Sequence, residues 1–330
     1  MEHFSPSLLF ILFLVLLAEF VNGATDAPNA IATVVSTRVL SPKKAVVLAT
    51  LLNIAGTLSG TAVATTIGRG IVRPEIINLY TVGAAMIGII FWSTLAWKYG
   101  LPTSESHALI SGLAGAGLAV GGTKVLLWEG WQKVAIGLGF STFLGFFAAY
   151  FLYLMIAWIF HNKGISQVRR LFGRLQILSA AFMAFSHGSN DGQKFIGTFA
   201  LALLLGNITQ EFSIPIWVII ICAIAMGIGT SVGGWRIIKT MGIKLTRLEP
   251  QHGFAAETAA ATAIELASRA GIPLSTTHTI STSIMGVGAA EGAKKVRWAV
   301  ASNIVTAWIL TFPVCGLISW GITKLLLFIL

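Results

Sequence analysis

Apolar and polar positions alternate along this chain on the scale of whole helices. Long apolar runs at residues 8–20, 45–67, 76–97, 134–160 and 214–235 are separated by short polar breaks. A helix needs about 20 apolar residues to cross the hydrocarbon core of a bilayer. These runs therefore predict transmembrane helices, the first of them short but extensible at either end. The opening residues lack a basic segment, and no small-residue cleavage pattern follows Phe20. The first run is accordingly expected to stay on the chain as a span.

The chain also aligns with itself. Gly23-Ala-Thr-Asp26-Ala-Pro-Asn29-Ala-Ile31-Ala-Thr33 matches Gly188-Ser-Asn-Asp191-Gly-Gln-Lys194-Phe-Ile196-Gly-Thr198. Further on, Gly100-Leu-Pro102-Thr-Ser104-Glu-Ser106-His107 matches Gly271-Ile-Pro273-Leu-Ser275-Thr-Thr277-His278, and a weaker pair, Gly60-Thr61 and Gly229-Thr230, lies between. Matches in one order at nearly constant separation predict two structural repeats. With about five crossings each, most basic residues fall on one side, among them Arg38, Lys43, Lys44, Lys163, Arg169, Arg170, Arg174, Arg236 and Lys239. That side is read as cytoplasmic. Equivalent loops carry opposite charge bias, so the repeats are expected to be inverted. The expected fold is an all-α polytopic membrane protein with two inverted-topology repeats of about five spans each and broken or re-entrant helices. Residues 1–160 form the first repeat, 161–175 a basic cytoplasmic loop and 176–330 the second repeat. Both termini are placed outside, and the location is the cell membrane.

Composition narrows the classes. Of 330 residues, 55% are hydrophobic and only 10% charged, against about 25% charged in soluble domains. The net charge of +10 is spread between spans, which fits membrane orientation and not a nucleic-acid partner. Cys222 and Cys315 stand far apart in apolar stretches, so no disulfide or metal framework is expected. Acids are isolated, without a nucleophile–base pair or clustered carboxylates, so neither an enzyme of lipid head groups nor a resident metal or cofactor is expected. Two unlike charge-bearing sites argue for coupled transport over a channel.

The candidate chemistry sits in the repeated segments. Asp26 and Asp191 are the only aspartates and occupy matched positions; ionisable groups at membrane depth mark function by default. Asn22, Asp26 and Asn29 share one helix face by spacing, and offer hard oxygen ligands to a small cation. Their counterparts are His187, Asp191 and Lys194, with Asn190 and Gln193 nearby. There the lysine ammonium stands where a metal ion would, or forms a buried ion pair with Asp191. Pro102 and Pro273 end what precedes them, and Ser104 and Ser275 are good N-caps. Two helix N-termini meeting at midplane would cradle a tetrahedral oxyanion, with Thr103, Ser106, Ser111, Thr276, Thr277 and Thr279 around them; hydroxyls also serve as plain helix-packing groups. His107 and His278 read equally as proton shuttles or as packing bridges. Glu19, Glu105 and Glu257 lie in apolar stretches, where a carboxyl can carry a coupling proton.

These motifs resemble the inorganic phosphate transporter family, over nearly the whole chain. The resemblance implies a low-affinity phosphate symporter of bacterial type, often dimeric, working by alternating access on phosphate or metal-phosphate. By position it puts phosphate near Ser104, Ser106, Ser275, Thr276 and Thr277. It puts the coupling cation, H+ or Na+, near Asp26, Asn29 and Asp191, and the residue reading adds Asn190, Lys194, Glu105 and Glu257 to the coupling set. Lys194 and Thr65 depart from the sodium-coupled pattern, which favours protons. A sulfate permease of the same family is the alternative, because both ions are tetrahedral oxyanions.

Overall fold

The computed structural model describes residues 4–329. Among them the regular elements are helices, with a lone antiparallel bridge between Val72 and Leu126. In order these are α1 (Pro6–Ser36), α2 (Pro42–Thr57), α3 (Ala62–Gly70), α4 (Leu79–Tyr99), α5 (Glu105–Gly121), α6 (Trp128–Gly139) and α7 (Gly145–Ile159). There follow α8 (Ile165–Leu205), α9 (Ile216–Thr230), α10 (Trp235–Lys239), α11 (Pro250–Arg269), α12 (Thr276–Glu291) and α13 (Trp298–Ile329). A π-helical turn at Phe140–Leu144 joins α6 to α7.

The first apolar run is only the start of α1. Ser5 caps it by accepting from the Leu8 amide at 3.2 Å, and the helix continues through Pro28 to Ser36. The polar second half stays helical because Asn22, Asp26 and Asn29 face other helices and are buried. Residues 165–175, expected as a loop, are instead the opening turns of α8. Phe172 anchors them, 2% exposed and packed against Phe160 and Phe254.

Among the described residues, five helical stretches are long and apolar enough to cross a bilayer, and two bent pairs bring the number to seven. The bends are 67° between α2 and α3, and 61° between α9 and the helix opening at Trp235. The first falls at the Gly60-Thr61 segment of the sequence repeat and the second directly after its Gly229-Thr230 counterpart. The long α8 and α11 are not among the apolar spans because they carry the polar side chains discussed below. The stretches Trp128–Ile159 and Trp298–Ile329 have only 17% of their apolar windows buried, and expose Phe143, Phe151, Trp158, Ile309 and Leu317. Both stretches present broad exposed apolar faces.

Two helical hairpins, α4–α5 and α11–α12, form the centre. Each first helix ends in the same way. Gly100 and Gly271 adopt φ +67° and +66°, a left-handed conformation open to glycine at little cost. The amides of Gly100 and Leu101 return to Trp97 and Ala96; those of Gly271 and Ile272 return to Ser268 and Ala267. This is the Schellman closure, and Pro102 or Pro273 two residues later prevents the helix from resuming. The bent pairs hold these turns: Thr66 of α3 donates to the Gly271 carbonyl at 2.7 Å, and Thr240, just beyond α10, to the Gly100 carbonyl at 3.0 Å.

The long helices are locked backbone to backbone. A Cβ on Gly188 of α8 would lie 2.2 Å from the Asn53 carbonyl oxygen of α2, and one on Gly23 of α1 would lie 2.3 Å from that of Met226 in α9. Small residues at such crossings let membrane helices gain packing contact where no hydrophobic drive exists between them. The crossings bring α1 and α8, with their aspartates, against the two hairpin tips.

Candidate ion-binding site

The tips meet each other. Ser106, at the start of α5, donates to the Leu274 carbonyl at 2.8 Å, and Thr277, at the start of α12, donates to the Thr103 carbonyl at 2.9 Å. Ser104 and Ser275 are the N-caps, accepting from the amides of His107 at 3.3 Å and His278 at 3.1 Å. All five hydroxyl residues expected to bind the anion, Ser104, Ser106, Ser275, Thr276 and Thr277, are buried at this junction.

Asp26 and Asp191 come to the same junction from α1 and α8. One ligand atom each from Asp26, His187 and Asp191 lies within 4.8 Å of the others, a grouping that could hold a small cation. Thr277 lies 3.2 and 3.4 Å from the Asp26 carboxylate oxygens and accepts from the Asn29 amide at 2.9 Å. Asp191 accepts from Thr276 at 2.8 Å and pairs with Lys194. The Lys194 ammonium also donates to Ser106 and, at 3.0 Å, to the Leu274 carbonyl. Such pairing is what permits a buried charge, since an isolated one is strongly disfavoured.

The other expected coupling residues stand around this centre. Asn190 turns away from the carboxylates and donates to Ser268 at 2.9 Å and to the Ile272 carbonyl at 3.3 Å, tying α8 to the second hairpin. Glu105 accepts from Thr25 at 2.9 Å and Ser93 at 2.6 Å. Glu257 accepts from Thr33, Ser179 and, at 3.2 Å, Gln176, so one carboxylate holds α1, α8 and α11 together. His107 and His278 pack edge to face with ring centroids 4.5 Å apart, and His278 stacks on Trp308 at 3.7 Å.

Two participants, Asn53 and Trp308, carried no readable signal. His187 Nδ1 lies 3.0 Å from Asn53 Oδ1, whose amide nitrogen is committed to Thr230. The ring therefore donates through Nδ1, and Nε2 faces Asp191 at 3.4 Å. Trp308 donates to the Pro102 carbonyl at 3.0 Å and so fixes the first tip. Neither Asn53 nor Trp308 lies near a repeated motif; their roles arise from helices distant in sequence. Thr25 and Thr33 had a weak signal, lying within or beside the aligned Asp26 segment.

Comparison with known proteins finds relatives over nearly the whole chain. Residues 22–319 match the model of the Phosphate transporter family. A Rhizobium meliloti protein named "Probable low-affinity inorganic phosphate transporter" is 45% identical over 95% of both chains. A Bacillus subtilis protein of the same name is 40% identical over 90% of both. Among solved structures, "The sodium-dependent phosphate transporter" superposes with a TM-score of 0.91 at 25% identity, covering 99% of this chain and 100% of that one. These relatives are transporters, not enzymes.

Proposed function

Since this chain belongs to the phosphate transporter family, we propose that it imports inorganic phosphate by cation symport, with protons favoured over sodium, through alternating access. Phosphate, free or as a metal-phosphate, is assigned to the hydroxyls of Ser104, Ser106, Ser275, Thr276 and Thr277 at the two tips. Free amides at the starts of α5 and α12 add partial positive charge for an anion. Cation coupling is assigned to Asp26, Asn29, Asp191 and Lys194, with Glu105 and Glu257 as candidate proton carriers; Asn190 is left to the helix contact described above.

The observation that carries this reading is the convergence of Asp26 and Asp191 with both hairpin tips at one buried junction. A carboxylate facing the anion favours monoprotonated phosphate, which can donate a hydrogen bond, over sulfate, which cannot. The inverted relation of the halves belongs to the proposal. It is supported by matched contacts such as Thr66 to Gly271 and Thr240 to Gly100, and by the distribution of basic residues. That distribution puts both termini outside and the basic stretch 161–175 in the cytoplasm. A homodimer is included on the family resemblance, and mass measurement of the protein in detergent tests it.

The functional test is uptake of labelled phosphate into proteoliposomes, with proton and sodium gradients imposed separately and sulfate as competitor. Proton-driven uptake resistant to equimolar sulfate is expected. Uptake driven by sodium alone would reverse the preferred coupling ion, and full inhibition by sulfate would change the substrate.

A further inference from the structure

The two aspartate clusters correspond position by position in the register of the internal repeat. Lys194 donates to the Asp191 carboxylate, to the Ser106 hydroxyl and to the Leu274 tip carbonyl. The residues aligned with Lys194, Asp191, Ser106 and Leu274 are Asn29, Asp26, Thr277 and Thr103. They are together as well: the Thr277 hydroxyl touches the Asp26 carboxylate, the Thr103 tip carbonyl and the Asn29 amide. Each cluster thus offers a carboxylate, a hydroxyl and a carbonyl from three separate elements.

Of these four aligned positions, one differs in the kind of group it offers. An ammonium has three protons to donate and accepts nothing, and Lys194 finds three oxygens, so its cage is complete. In the other cage the corresponding residue is an amide whose Oδ1 is buried and has no partner. The Asn29 amide nitrogen donates to the Thr277 hydroxyl as the Lys194 ammonium donates to Ser106, but it brings no charge, and its own oxygen is left unpartnered for a cation.

We propose that Lys194 is a tethered cation, filling one of two equivalent oxygen cages with its own ammonium. The chain then couples phosphate to one inorganic cation fewer than a chain with an amide at 194 would. The inference rests on the transporter reading above and deepens it at the same site.

Lys194→Asn tests it. Melting of the purified protein in detergent is compared in sodium chloride and choline chloride, with no phosphate or gradient needed. Sodium at roughly tenfold above its dissociation constant is expected to raise the melting temperature of Lys194→Asn by about 2–4 °C more than that of wild type. The double variant Asp191→Asn/Lys194→Asn, with amides but no carboxylate in that cage, is expected to lose this gain. Equal sodium responses in wild type and Lys194→Asn overturn the proposal. Should Lys194→Asn fail to fold in either salt, the reciprocal Asn29→Lys decides. Asn29→Lys places an ammonium in the other cage as well, so its melting is expected to lose any sodium gain that wild type shows over choline, and a larger gain than that of wild type overturns the proposal. Absence of phosphate uptake by wild type would instead remove the transport reading and leave the melting comparison interpretable.

Discussion

Gly188→Ala is the sharpest test of how the site is held. The added Cβ would lie 2.2 Å from the Asn53 carbonyl oxygen and 2.7 Å from the Asn53 Cα. Ordinary carbon contact begins near 3.5 Å, so α2 and α8 must separate by roughly 1 Å. Both obstructing atoms belong to backbone, so no rotamer change relieves the clash. Overpacking of this kind costs about 1–3 kcal/mol, which corresponds to a fall of about 3–10 °C in melting temperature. Gly188 lies between His187 and Ser189, less than one turn from Asp191, and the separation displaces the carboxylate from Thr276. A misplacement of about 1 Å can lower a rate by about a hundredfold, so phosphate uptake is expected to fall at least tenfold. The control is Gly321→Ala in α13, where a Cβ meets nothing within 4 Å; it is expected to leave melting and uptake unchanged or to stabilise slightly. Melting in detergent and uptake into proteoliposomes read both variants. A Gly188→Ala protein indistinguishable from Gly321→Ala would refute the account of the α2–α8 crossing.

Asp26→Asn is expected to abolish phosphate uptake while the protein remains folded, and wild-type uptake would remove Asp26 from the site. Lys194→Met leaves the buried Asp191 carboxylate without its counter-charge and is expected to destabilise by about 3–5 kcal/mol. Adding Asp191→Asn should restore most of that loss, and a melting comparison that shows no such rescue would contradict the ion pair. Glu257→Gln keeps a group able to bond Thr33, Ser179 and Gln176, so melting should shift by no more than a few degrees. If Glu257 carries the coupling proton, uptake by that variant should no longer respond to an imposed proton gradient; an unchanged response would assign the proton elsewhere.

Much of the buried junction that forms the candidate site was legible in the sequence. The aligned motifs named Asp26, Asp191 and the Pro-Thr-Ser and Pro-Leu-Ser tips, and the capping rule placed Ser104 and Ser275 at helix starts. The structure has both as N-caps. Legibility ended where a role depended on a helix far along the chain. The Glu257 carboxylate was visible as an acid in an apolar run, but its partners come from α1 and α8. Asn190 was grouped with Asp191 because they are neighbours in sequence, yet on a helix adjacent residues point about 100° apart, and its amide reaches the second hairpin.

The sequence by itself determined that this chain is a helical membrane protein with a doubled motif, because helix breaks, caps and bilayer-length apolar runs are local properties. Only the tertiary structure decided which oxygens surround each aspartate, and that Lys194 occupies a cage on one side where Asn29 stands on the other. Those arrangements depend on helix crossings set by glycine contacts between segments more than a hundred residues apart, such as Gly188 on Asn53. Packing between such segments leaves no periodicity in the chain, so it becomes readable only once the helices are seen against one another.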